Sequence, residues 1–523
     1  MSFVVAPAAT LLVTLLIALC AGRMVFAGRE SLAVTCTTGL AIVAHLLFAM
    51  AALGALHRVP LLFLAIVLIV AGVLRRGWVW PRLHWIMLAV LPVFLLALSP
   101  PVEFDETLYH LPLIRAVAES GTLAFRSYLR FPLFPQFQEL LSVPAFLFAG
   151  DSATHMISLA EGILTVALLL EWGRRRGSPA GVLAAAAFAG GPVIIHLASS
   201  GYVEVGLTLF VTAGFYCLDR KWIFGAGLFF GTACDVKYLA LYFAGMAGLW
   251  LLFTERPRLR AAALFTAGLL TSVLPTYLGI LLRTADPLFP FLRASPWQQP
   301  FVRHELLERV LTFVRIPWDV TFARSRIGFQ PPFTPLFAIA LLAVILGTLR
   351  DSRARAVAVM TVTYMGVFTV LPPDSRYLVA LLPVLFLTAA ETLRLRPSLV
   401  PWVAVLVLLP GPAYAVFRLV RSGLPPVTAQ QRLAYLDRAL PEYRALRRAG
   451  RANVYGCGVE QLLYYAEAPF YADLVGPFNL DGVRPEMVLV SKRACPRWRP
   501  DRRFERVYED DGAELWRRVE SRR

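Results

Sequence analysis

Long apolar runs dominate roughly the first 420 residues, and short polar clusters rich in Arg punctuate them. The runs fall near 5–22, 31–56, 58–74, 83–99, 155–171, 180–198, 203–218, 221–236, 238–253, 261–282, 333–349, 356–371, 378–394 and 399–417. Most are long enough to cross a hydrocarbon core as helix. The bilayer offers backbone groups no water, so each run must be a helix that satisfies its own hydrogen bonds. The pattern predicts an α-helical polytopic membrane protein of about fourteen transmembrane helices. The first run has no basic flank ahead of it and is followed by further spans, so it reads as a retained helix rather than a signal peptide.

Alternate loops differ in charge. One set holds Arg23/Arg29, Arg75/Arg76/Arg82, Arg174/Arg175/Arg176, Arg220/Lys221, Arg256/Arg258/Arg260, Arg350/Arg353/Arg355 and Arg394/Arg396. The short loops of the other set hold Arg58, Lys237 and Arg376, which makes 18 basic residues against 3. The positive-inside rule makes the first set cytoplasmic, and an even number of spans then puts both termini outside. The expected location is the cell inner (plasma) membrane, multi-pass, with a periplasmic C-terminal domain.

Three outward segments are long. Residues 101–152 and 283–332 are rich in Pro and aromatics yet half apolar, which predicts short amphipathic helices along the membrane surface. The third, from about Arg418, alternates charge with Leu and Tyr over Gln430 to Ala449. Strand-like runs at Asn453–Gly456 and Met487–Val490 follow. It reads as a small extracytoplasmic α/β domain. The expected parts are extra N-terminal helices over 1–82, a membrane module over 83–417 and the soluble domain over 418–523.

The chain's 523 residues are 58% hydrophobic and 16% charged, where a soluble protein would carry about a quarter charged. A net charge of +17 would suggest nucleic acid on a soluble domain, but here it lies in loops between spans, so no nucleic-acid partner is expected. Lysine is rare (Lys221, Lys237, Lys492), which draws attention to Lys237 between two apolar runs. The six cysteines show no metal-ligand spacing. Cys457 and Cys495, in the polar tail, could pair in an oxidising compartment.

Chemistry concentrates after the fourth run, in Pro101-Val-Glu-Phe-Asp105-Glu106-Thr-Leu-Tyr109-His110. Three acids within four residues sit where a helix leaves the bilayer. A helix N-terminus favours such acids without further purpose. A carboxylate at a membrane surface can also take a proton from a hydroxyl or bind a divalent cation, with Asp105 and Glu106 as ligands. If residues 106–119 are helical, Glu106, Tyr109 and His110 share one face.

Asp105-Glu106-Thr107-x-Tyr109 resembles the first-outer-loop motif of the GT-C superfamily of membrane glycosyltransferases, which includes protein O-mannosyltransferases and lipid A aminoarabinose transferases. Arg130-Phe-Pro-x-x-Pro-Gln136-Phe-x-Glu139 resembles the second half of that loop. Ser200-Gly-Tyr202-Val-Glu204 is similar to the family's Tyr-x-acid segment, and Gly231 to Lys237-Tyr238 to its Gly-x-x-x-x-x-Lys-Tyr segment. Asp286-Pro-Leu-Phe-Pro290 looks like Asn-Pro-x-x-Pro with Asp for Asn. Arg376-Tyr377 through Pro383 resembles Arg-Tyr-x-x-x-x-x-Pro. The resemblance covers about 83–395 and implies a sugar donor on a polyprenyl phosphate, inversion at the anomeric carbon and a loop acid as base. Asp105 is then the base and Glu106 a second or supporting acid. Tyr109, His110, Glu204, Lys237, Tyr238, Arg376 and Tyr377 are candidate substrate-binding residues.

The expected function is therefore an inverting glycosyltransferase acting on a lipid, glycan or protein hydroxyl at the outer face of the membrane. No cofactor follows from the residues beyond the divalent cation that the acids permit. The alternatives are a transporter or flippase of lipid-linked sugars, which would show paired interrupted spans, and a non-catalytic membrane assembly protein.

Overall fold

A computed structural model describes residues 2–26, 28–75, 84–297, 305–328 and 331–519. Arg76 and Arg82 of the Arg-rich loops and parts of the 283–332 segment lie outside these. The chain is an integral membrane protein, 68% helical, with one small C-terminal sheet. All fourteen apolar runs contain helix. Among the described residues six helices are long and apolar enough to cross a membrane by length and composition, or seven with a bent pair. Six shorter apolar helices accompany them.

The first three helices, Ser2–Phe26, Leu32–Ala52 and Arg58–Leu74, meet through small residues. A Cβ at Gly39 would lie 1.6 Å from the carbonyl oxygen of Ala18, so only glycine lets the first two backbones approach this closely. Their inner faces pack on Phe137–Ala149 and His155–Arg175, which run through the middle of the protein.

The run over 180–198 is not one straight span. It breaks into Ala180–Ala189 and Pro192–Ala198, bent by 69°. Pro192 disfavours helical geometry at Gly191, which is extended. The second arm is thereby swung under the outer loop, carrying His196 toward Glu103 at 3.6 Å. Hydropathy along the run gives no sign of this turn.

The two outer segments also differ from each other. Leu111–Ser120 and Phe137–Ala149, from the first, are mostly buried inside the protein rather than laid on a membrane surface. Leu306–Phe322, from the second, exposes Leu307, Val310, Leu311, Val314 and Trp318, the apolar face expected of a surface helix.

The final apolar helix, Pro410–Ser422, leads into an α/β unit with helices Ala429–Ala439 and Tyr443–Ala449. Its strands are β1 (Val454–Cys457), β2 (Phe470–Ala472), β3 (Met487–Ser491), β4 (Phe504–Glu509) and β5 (Ala513–Arg518), in the order β2-β1-β3-β5-β4. β1 runs parallel to β2 and β3, while β5 is antiparallel to β3 and β4. A Cys457–Cys495 disulfide ties β1 to the turn after β3. The unit docks on the acidic loop through the helical turn Glu460–Tyr465: Leu462 packs with Leu108 and Tyr109, and the Tyr465 hydroxyl donates to the Pro101 carbonyl.

Candidate active site

The acidic loop enters its helix through a widened turn, Glu106–His110, in which the Leu111 N–H reaches the Glu106 carbonyl five residues back. Pro112 follows, with no N–H to give to the carbonyl of Leu108, and such wide turns recur at functional sites. The turn sends the two adjacent acids to different surroundings. Asp105 Oδ2 accepts from Arg376 Nη2 at 2.5 Å and from the Tyr109 hydroxyl at 3.1 Å. Glu106 is fully buried, its Oε1 meeting His155 Nε2 at 2.5 Å and the Gly201 N–H at 2.7 Å. Glu106 thereby fastens the loop to the helix starting at His155 and to the Ser200–Tyr202 turn.

Arg376 is the hub of the cluster. It stands at the start of the last-but-one span, and Asp374 caps that turn by accepting from the Arg376 N–H at 3.1 Å. Its guanidinium faces Asp105, Asp374 at 3.0 Å and Glu204 at 3.5 Å. The rings of Tyr202 and Tyr377 lie 4.9 and 5.3 Å from its centre, so its orientation is held by aromatic faces as well as by charge. Glu204 opens the helix Glu204–Asp219 and accepts from Lys237 Nζ at 2.6 Å. Lys237, extended between two helices, also lies 4.8 Å from the Tyr377 ring. Four segments remote in sequence thus converge on one charged cluster.

Burial disfavours the charged form of Asp105, but Arg376 and His110 outweigh it and hold its carboxyl below the ordinary carboxylate range. Asp374 goes the other way: burial pushes its carboxyl up despite Arg376. Adjacent carboxylates with opposite tendencies mark a place where proton position is controlled.

No family model matches the sequence. An uncharacterized protein of Shigella flexneri is 31% identical over 144 residues, which are 27% of this chain and 69% of that protein. Two solved structures of ArnT from Cupriavidus metallidurans, apo and bound to undecaprenyl phosphate, superpose with TM-scores of 0.57 and 0.56. Each covers 83% of this chain and 98% of ArnT, at 17% identity. The chain belongs to the family of the Shigella protein, and its fold is that of the ArnT structures.

Within this ArnT-like fold the remaining expected residues separate by position. Tyr377 belongs to the cluster and receives a hydrogen bond at its carbonyl from the Tyr364 hydroxyl at 2.6 Å. Tyr238 stands aside from the acids, its hydroxyl donating to the Phe289 carbonyl at 3.0 Å, beside the Asp286 loop. Asp286 Oδ1 and Oδ2 accept from the N–H groups of Leu288, Leu292 and Arg293, so an acid serves in place of Asn as the pin of that loop. His110 is turned inward to Glu139 at 2.6 Å while its ring lies tilted against that of Tyr109, centroids 4.1 Å apart. Among the described residues no group of three or more His, Cys, Asp or Glu side chains is arranged to hold a metal ion.

Three supports escaped the sequence reading. His155 holds Glu106, and Gln138 holds the buried Glu161 at 2.8 Å. Arg418 reaches Glu103 at 3.0 Å, where burial opposes charge but His196 and Arg418 win and hold the carboxyl low. A polar residue at a span boundary was the available signal for His155 and Arg418; nothing in the local sequence names their partners.

Proposed function

We propose that the protein is an inverting glycosyltransferase that moves a sugar from a polyprenyl-phosphate carrier to a hydroxyl acceptor at the extracytoplasmic face of the plasma membrane. The carrying observation is the convergence of Asp105 with Arg376, Glu204 and Lys237. The ArnT structure with bound undecaprenyl phosphate supports a lipid phosphate as the donor's anchor.

In this reading Asp105 takes the proton of the acceptor hydroxyl as its oxygen attacks the anomeric carbon. The bond from that carbon to the phosphate oxygen breaks, and the carrier leaves as a phosphate anion. Arg376 and Lys237 stabilise the charge that develops on the leaving oxygen, where such contacts lower the barrier rather than merely bind. A single displacement inverts the anomeric centre. Glu106, occupied by His155 and Gly201, positions the loop. The membrane module over 83–417 carries the chemistry and the tail over 418–523 covers the acidic loop from outside.

The test is transfer by purified protein in lipid nanodiscs, with radiolabelled polyprenyl-phosphate sugars and extracted envelope glycolipids. Labelled acceptor of inverted configuration is the expected product. Intact lipid-linked sugar crossing a sealed bilayer with no transfer would replace the enzyme by a transporter.

A further inference from the structure

In the described arrangement both cations of the cluster already have internal carboxylate partners. Lys237 Nζ is 2.6 Å from Glu204, and Arg376 is engaged by Asp105 and Asp374. The same contacts occupy the base: Asp105 Oδ2, which would accept the acceptor's proton, already accepts from both Arg376 and Tyr109. A carboxylate offers Arg the same planar pair of acceptor oxygens as a phosphate does. Each ion that must contact the donor is therefore held by an internal anion of like chemistry.

Resting on the glycosyltransferase reading, we infer that Asp105 is the resident counter-ion of the donor phosphate site, so that donor phosphate displaces it from Arg376 and frees the base only when the donor is in place. The consequence is an order of events. Donor binds first and takes the Arg376 fork; Asp105 swings off, keeps Tyr109 within reach, and becomes able to accept a hydroxyl proton. The rings of Tyr202 and Tyr377 hold the guanidinium while its partner changes, so that the anion moves and the cation does not. Glu204 plays the corresponding part for Lys237. Charge supports the exchange: the ion-pair partners of Asp105, Glu204 and Asp374 in the cluster are Arg376 and Lys237, and burial favours the neutral form of Asp374, which makes room for an incoming anion.

The experiment measures binding of undecaprenyl phosphate, and separately of neutral undecaprenol, to full-length protein in nanodiscs. Wild type is compared with Asp105→Asn, Asp105→Ala and Arg376→Lys, with thermal melting as the folding check. Removing the competing anion is expected to tighten phosphate-lipid binding by about tenfold in both Asp105 variants, to leave undecaprenol unchanged, and to abolish transfer. Arg376→Lys should weaken phosphate-lipid binding. Unchanged or weaker phosphate binding in folded Asp105 variants that have lost transfer overturns the counter-ion role and leaves the enzyme standing. Equal tightening for both lipids also overturns it. A wild type that prefers neither lipid and transfers nothing takes the glycosyltransferase reading down as well.

Discussion

Two helices each connect one ion cluster to another at the opposite end of the bundle. His155–Arg175 begins at Glu106 and ends among Glu171, Arg174 and Arg175; Glu204–Asp219 begins at the Arg376 cluster and ends at Arg176. At the Arg-rich end local and remote pairs mix: Arg174 and Arg175 meet Glu171 at three and four residues, Arg175 also meets Glu30, and Arg176 meets Asp219 and Glu391. Arg174 is 52% exposed, while Arg376 at the other end is 8% exposed and has acids from three separate segments around it. Local, wetted pairs fasten helix ends and contribute little each. A buried cation with three acids and two aromatic faces around it is more than such fastening requires, as the proposed exchange of its anion would demand.

The sharpest break of that comparison is one substitution at each end. Asp105→Asn is expected to lower transfer at least about 100-fold, the usual contribution of a positioned base, with an unchanged melting profile. Arg176→Lys, which loses its reach to Glu391, should leave transfer within about twofold. Similar losses in both would make the outer cluster another structural fastening.

Replacing a fork by a point charge sharpens it further. Arg376→Lys keeps the charge but cannot face Asp105 and Asp374 together, and a drop in kcat/KM of roughly 10- to 100-fold is expected. Glu171→Gln removes the partner shared by Arg174 and Arg175; because these pairs are partly exposed, it should cost about 1 kcal/mol, seen as a few degrees of melting temperature, with transfer intact.

These two ends were unequally legible in the sequence. The spans could be read because a bilayer forces every apolar run into a self-satisfied helix, and the Arg-rich loops followed from charge alone. Asp105, Glu204, Lys237 and Arg376 stood out as charges at the edges of apolar runs, where a charge needs a reason. Their meeting could not be read, since it depends on how far the 180–198 run bends at Gly191–Pro192 and on the wide turn at 106–110, neither of which alters hydropathy. The same wide turn separates Asp105 from Glu106, two acids that a regular helix would have left on neighbouring faces. His155 is locally just one polar residue at a span boundary, because its partner Glu106 lies 49 positions away.

The smallest expected effect tests the exchange at Asp105 within the working enzyme. In the donor-free protein Asp105 is held below the ordinary carboxylate range of about 3.9 by Arg376, so kcat/KM, which reports the free enzyme, should not fall on its account until the pH drops below roughly 4. Once the donor phosphate holds Arg376, Asp105 loses that support and gains an anionic neighbour, and both changes raise its pKa. The acid limb of kcat, which reports the loaded enzyme, should then lie higher by about one pH unit. Tyr109, His110, Lys237 and Asp374 also face Asp105. His110→Gln is the control: a displacement that persists in it belongs to Asp105, and one that vanishes belongs to the histidine. Coincident limbs in the wild type would mean that Arg376 never leaves Asp105, and the outer cluster would then be as static as the Arg-rich end.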